Sequence, residues 1–404
     1  MARMPLRDDT DADTGRRTAA ILAGVALALA ALVAHIGRLA ESPAAAAVPA
    51  LGLLGPGKAG MLRGLPLDGN GLPPAGSAQL AREALAGSPL AYEPFFVAAA
   101  AGFQGNASAG TAADAALLRE ALHRNPRARE AHFLMLRHEV GSGDLKAAIS
   151  HLAVMNRLTG GIADKMMPAV GMAIQTERQA DDAVAGLAPH PELYAPFLRG
   201  FSQVPKPPAL AVRLVTRLPQ AGLADAKVRG LAIGVLVKAQ AFAEARAIWG
   251  GTGARAELVH SPDFADTKAP PPFNWALAED TTGVAERAEG GMFVSYFGRV
   301  PGPLTSQLLT LAPGTYKARL VYRSEGGSPG ALGLQLMCVG SQTPLFDQPL
   351  AGAAGTNQAL TVTFPIPDQG CKGQVLSVSG RVQESRDPQQ AVLRRLDIAL
   401  GGSK

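Results

Sequence analysis

Between Arg17 and Arg38 lie twenty residues, and sixteen of them in succession, Ala19 to Ala34, carry no polar side chain. Wound as a helix, such an interval spans about 30 Å, the hydrocarbon thickness of one bilayer. The sequence therefore predicts a single transmembrane helix over residues 18–37, with everything after it on one side of a membrane. Arg3, Arg7, Arg16 and Arg17 precede the run and only Arg38 closely follows it. The excess of positive charge keeps residues 1–17 as a cytoplasmic tail and sends the bulk of the chain outward. The apolar core is long for a signal peptide and the small residues Ala44 to Ala47 come late, so a retained anchor is expected rather than a cleaved leader. The implied location is a bacterial inner membrane, crossed once, with the main part periplasmic.

Residues 38–76 are rich in Ala, Pro and Gly without a period, the composition of a linker. Within them Gly52 to Lys58 match the spacing of a phosphate-binding loop, but Ala59 stands where a hydroxyl must hold magnesium and no strand-like run precedes it. The match is one of spacing alone. The formal charge of +5 raises the question of an anionic partner. Residues 77–250 hold 18 Lys and Arg against 14 Asp and Glu, and residues 261–404 hold 12 against 12. The excess is scattered along helices, as on a solvated face, and no basic run is interleaved with aromatics, so nucleic acid is not an expected partner.

From Gln79 the texture becomes helical. Leu80 to Leu85, ending at Pro89, is echoed by Leu117 to Leu122, ending at Pro126, at an offset of 37 residues. Aromatic-bearing helices are predicted at Tyr92–Ala101 and Ala128–Val140. Gly141 to Asp144 reads as a turn with a cap for a helix opening at Leu145. Further helices are predicted over Ala209–Leu218, Asp225–Ala239 and from Phe242 to Trp249. Ala84, Ala121 and Ala148 are small enough to let neighbouring helices approach closely. This alternation resembles tetratricopeptide repeats, although the family's Trp, Leu, Gly and Tyr positions are not recognisable and the stretch from Pro168 to Pro208 fits poorly. The resemblance implies a helical solenoid over residues 77–250 that holds a protein partner. Tyr92, Phe95, Phe96, Phe133 and Met135 are candidates for its concave face, with core packing the commoner role for each. His132 and His138 are six apart, not the four that would align two metal ligands, and no metal site is expected.

After a short linker at 251–260 the period changes to two. Strands are predicted at Met292–Phe297, Leu304–Leu311, Thr315–Arg323, Leu332–Val339, Ala359–Phe364, Gln374–Val382 and Val392–Leu400. The clearest places Tyr316, Ala318, Leu320 and Tyr322 on one face. Short strands at this spacing indicate an all-β sandwich over residues 261–404. The expected fold class is thus multidomain α and β: a transmembrane helix, an all-α repeat domain and an all-β jelly roll.

Ser261-Pro262-Asp263-Phe264, Pro272-Phe273-Asn274-Trp275, and Gln307 to Leu309 followed by Leu311-Ala312-Pro313-Gly314-Thr315-Tyr316 carry a resemblance to carbohydrate-binding modules with a galactose-binding-like jelly roll. The second half matches well, whereas of the family's opening Asn-Gly-x-Phe-Glu only Phe264 is kept. The resemblance implies the fold and a possible polysaccharide ligand, with Trp275 and Tyr316 mainly building the sandwich. A bound sugar would stack on Trp275, Tyr296 or Tyr322, with Arg299 or Arg323 meeting an acidic group. No catalytic residue, cofactor or metal is expected. Cys338 and Cys371, the only cysteines, are an even pair in an exported domain and are expected to form a disulfide.

The function these readings imply is non-enzymatic: a membrane-anchored periplasmic scaffold in envelope or exopolysaccharide assembly, with repeats for a protein partner and the sandwich for glycan or protein contact. The alternative is a polysaccharide-modifying enzyme with a cleft rich in Asp, Glu or His near residues 254–280, where the two domains join.

Overall fold

A computed structural model describes residue 59 and residues 61–68, 71–104, 109–250, 258–326, 330–381 and 388–401. The expected transmembrane helix at 18–37 and the Gly52–Lys58 loop lie outside these residues. Among the described residues no helix is long and apolar enough to cross a membrane. The chain divides into two compact units, one up to Leu231 and one from Ala232 onward.

The first unit is helical: α1 (Ser77–Gly87), α2 (Glu93–Ala100), α3 (Ala112–Arg124), α4 (Arg129–Ser142), α5 (Leu145–Thr159), α6 (Ile162–Ala173), α7 (Glu177–Leu187), α8 (Tyr194–Phe201), α9 (Pro208–Arg217), the short α10 (Gln220–Leu223) and α11 (Ala226–Lys238), within which the division falls. Local chemistry sets many of these limits. Thr111 opens α3 and Thr176 opens α7 with capping boxes to Asp114 and Gln179. Gly143 closes α4 in the left-handed conformation, and Asp144 Oδ1 accepts from the Ala147 N–H at 3.0 Å to start α5. The expected turn stands there.

Up to α5 each helix packs on the next; beyond it α5 also packs on α7, α6 on α8 and α7 on α9, so that helices two apart in the chain lie against one another. Ala84, Ala121 and Ala148 are fully buried at these contacts. The closest crossing joins α6 to α8. A Cβ on Gly171 would meet the Phe197 carbonyl oxygen at 2.4 Å, and one on Gly200 the Pro168 oxygen at 2.0 Å, so only glycine lets the two backbones touch. Phe96, Phe133 and Met135 are core, and the Phe95 ring lies under the Arg124 guanidinium at 3.9 Å.

The second unit contains α12 (Phe242–Gly250) and ten strands: β1 (Ala276–Leu277), β2 (Gly283–Ala288), β3 (Gly291–Tyr296), β4 (Gly302–Leu309), β5 (Gly314–Gly326), β6 (Leu332–Cys338), β7 (Pro344–Pro349), β8 (Asn357–Ile366), β9 (Gln374–Gly380) and β10 (Gln389–Leu400). They form two five-stranded antiparallel sheets. One has the order β1-β4-β9-β6-β7 and the other β2-β3-β10-β5-β8. All seven predicted strands are present. The three that were not foreseen, β1, β2 and β7, are edge strands. Prolines bracket β7 and charges interrupt β2, which is how edges resist further pairing and why their apolar signal is weak.

One core lies between the sheets. Tyr316, Ala318, Leu320 and Tyr322 point into it from β5 as the alternation requires, together with Leu334 and Leu336 of β6 and Leu376 and Val378 of β9. Cys338 and Cys371 are joined by a disulfide that ties the end of β6 to the approach to β9. Two buried glutamines hold irregular segments by imitating a strand partner. Gln307 accepts from His260 N and donates to His260 O, each at 2.9 Å, and Gln374 accepts from Leu311 N at 2.8 Å while donating to Leu311 O and Cys371 O. Helix α12, grouped by composition with the repeats, packs within this unit: a Cβ on Gly373 would lie 2.5 Å from the Phe242 ring.

Candidate functional site

The motif residues of the lead-in are structural. The Trp275 ring is 2% exposed, packs on Phe264 at a centroid distance of 4.9 Å and donates through Nε1 to Ser261 O at 3.1 Å. Asn274 donates to the carbonyls of Asp266 and Ala269, fixing the loop before β1. Tyr296 is fully buried, and its hydroxyl has no hydrogen-bond partner among the described residues. Tyr322 is 3% exposed and its hydroxyl donates to Ala351 O. Burial raises the pKa of both phenols. All three rings face the inter-sheet core, so no face of theirs is open to stack on a sugar. Arg323 sits on the opposite side of β5 from Tyr322 and pairs with Glu325, its Nε 2.6 Å from Oε1. Arg299 is exposed in the connection from β3 to β4. The five candidates do not converge on one site.

The lead-in carboxylates are committed to turns. Asp266 accepts from Lys268 N at 2.7 Å, from Ala269 N and from His260 Nε2 at 2.7 Å, and these bonds hold its pKa down at about 2. Asp263 accepts from Ala265 N and Ser261 Oγ, with its pKa lowered chiefly by the Ala265 amide. Asp280 accepts from Thr282 N at 2.7 Å. His260 lies edge-on to Trp249 at 4.7 Å, and Arg246 stacks over Trp249 and Phe273 at 4.7 and 5.2 Å. The cluster seals α12 to the lead-in. A general acid needs a raised pKa, the reverse of what Asp263 and Asp266 have. Among the described residues no group of three or more His, Cys, Asp or Glu could hold a metal.

A different surface gathers polar groups without committing them all to turns. Directly paired residues share a face of a sheet, so register assigns the outer side of β4, β9, β6 and β7. Ser306 pairs with Ser377, Ser377 with Gln335 and Gln335 with Asp347, one polar row across four strands. The next row runs Pro303, Ser379, Gly333 and Pro349. Ser377 and Ser379 share a hydrogen bond of 3.0 Å. Over Gly333 lies Arg381, whose Nη2 binds Asp347 and whose Nε would be 2.7 Å from a Cβ at that glycine. Arg381 Nε is buried and has no partner among the described residues. On the other side the row Leu308, Val375 and Met337 leads toward Phe242 and is partly covered. The face thus carries half-buried Ser306, Ser379 and Gln335 and a guanidinium–carboxylate pair on a floor of small residues, with Ser377 buried at 4% exposure in its middle. Donors and acceptors of this kind suit the hydroxyls of a polyol.

No known protein family matches the chain, and no curated protein matches it. Among solved structures the C-terminal sandwich resembles carbohydrate-binding modules. A CBM4 module is 11% identical with a TM-score of 0.28, the match covering 35% of this chain and 99% of that one. TmCBM61, solved in complex with β-1,4-galactotriose, is 14% identical with a TM-score of 0.27, covering 36% and 99%. The CBM22-1 xylan-binding domain of Paenibacillus barcinonensis Xyn10C is 15% identical with a TM-score of 0.26, covering 38% and 100%.

Proposed function

We propose that this protein is a non-enzymatic, membrane-anchored accessory factor of envelope or exopolysaccharide assembly, and that its sandwich contacts a glycan through the outer face of β4, β9, β6 and β7. The observation that carries the reading is the polar row Ser306, Ser377, Gln335 and Asp347 with Arg381 beside it. A sugar hydroxyl both donates and accepts, so a carboxylate beside a guanidinium can take a vicinal diol as a unit. The absence of an accessible ring among Trp275, Tyr296 and Tyr322 makes this a hydrogen-bonding surface rather than a stacking one. The helical unit, with its layered packing, is the part that would hold a protein partner. The Cys338–Cys371 disulfide supports export, since such bonds persist in oxidising compartments. Low carboxylate pKa values in the lead-in support a binding role over glycoside cleavage. A glycan array probed with the full chain tests the proposal. Binding to bacterial polysaccharide that weakens on Gln335→Ala upholds it, and binding to no glycan, or binding indifferent to that change, overturns it.

A further inference from the structure

Helices α4 and α5 enclose a chain of titratable groups that the glycan reading does not use. His132 is 6% exposed and Glu139 is 9% exposed, both on α4, and His151 faces them from α5. His132 Nε2 is 3.0 Å from the Pro126 carbonyl oxygen in the loop between α3 and α4, and the two Nδ1 atoms of His132 and His151 are 2.8 Å apart. His151 Nε2 is 3.6 Å from Glu139 Oε1. The second carboxylate oxygen of Glu139 is buried without a partner among the described residues.

Two of the three contacts are hydrogen bonds, and each holds one proton. A carbonyl can only accept, so His132 Nε2 carries a hydrogen. Between the Nδ1 atoms one hydrogen makes a bond, two would collide, and none would set lone pair against lone pair. With its Nε2 hydrogen committed to Pro126, a neutral His132 accepts at Nδ1 and His151 donates. His151 Nε2 and Glu139 Oε1, at 3.6 Å, stand at ion-pair rather than hydrogen-bond distance.

We propose that His132 and His151 form a latch that is closed while His132 is neutral and opens when His132 takes up a proton, releasing the α3–α4 loop and α4 from α5. That proton, taken from solvent, puts N–H against N–H across the 2.8 Å gap. Burial opposes it, as do the positive charge of Arg157 and that of His151 when protonated, the charged groups on the surrounding helices that act on His132; they hold its pKa below the ordinary 6.5. The sign follows from linkage. The unfolded chain takes up the proton first, so the latch contributes fully above about pH 6.5 and loses its contribution as the pH falls below it.

The test is a histidine titration of the full chain, labelled with nitrogen-15 and read through long-range imidazole couplings. The His132 ring should titrate below the ordinary value of about 6.5. Amide exchange in residues 126–132 should rise at least tenfold as the pH falls through that step. A His132 step at or above the ordinary value, or exchange that ignores the step, overturns the latch. Both readings are taken on the wild-type chain and need no variant.

Discussion

Reduction of the Cys338–Cys371 bond perturbs the second unit without removing a side chain. The two cysteines are 33 residues apart in sequence. In the chain-entropy account, closing a loop of this length removes about 13 cal/mol/K from the unfolded ensemble, or about 4 kcal/mol at 25 °C. Both residues are buried, at 8% and 6% exposure, so reduction also leaves two thiols in an apolar setting that accepts them at little cost. The loss should therefore lie near the loop term. Both tryptophans of the chain, Trp249 and Trp275, belong to this unit, so tryptophan fluorescence in urea reports on the sandwich alone. With a slope of about 2 kcal/mol/M, the reduced protein should unfold at about 2 M less urea than the oxidised one. A difference under about 0.5 M would refute the reasoning, because the bond would then constrain little that the unfolded chain does not already avoid.

Three other outcomes follow from the packing and the buried charge. Gly200→Ala places a Cβ 2.0 Å from the Pro168 oxygen and should destabilise the helical unit by about 1–3 kcal/mol as α6 and α8 are forced apart, seen as a lower midpoint in far-ultraviolet circular dichroism. Gly380→Ala drives a Cβ to 2.2 Å from the Tyr296 ring and should cost the sandwich about as much, measured by the same urea unfolding. Lys206 donates to the carbonyls of Met172 and Ile174, and burial lowers its pKa from 10.5 to about 8. The folded state thus prefers the neutral amine, so relative to Lys206→Met the stability of the wild type should rise with pH between about 8 and 10.5 and stay flat below; a wild-type advantage that falls over that range would contradict it.

Much of the architecture is legible in the residues themselves. Strict alternation in β5 and buried alanines at the helix contacts follow from period and size, so the two kinds of unit could be read directly. Of the four edge strands only β8 could: β7 and β2 bury one or two residues each and are defined by a neighbour rather than by their own sequence. The same limit explains the site. Tyr296 and Tyr322 drew notice as aromatics, yet each lies in phase with the apolar residues of its strand, Met292 and Val294 in one and Ala318 and Leu320 in the other, and that phase already points inward. Ser306, Ser377, Gln335 and Asp347 are unremarkable singly and meet only through register across four strands, which is set by tertiary pairing. His132 and His151 are 19 residues apart and join only when α4 folds back on α5.

The most direct test of the glycan face is calorimetric titration of a glycan found on the array into the full chain, its Gln335→Ala/Asp347→Asn variant and an Arg323→Ala control. Loss of one neutral and one charged hydrogen bond, together about 2–4 kcal/mol, predicts a weakening of roughly 30- to 1,000-fold in the double variant and none in the control. Equal affinities in all three proteins, or a loss confined to Arg323→Ala, would contradict the assignment of this face.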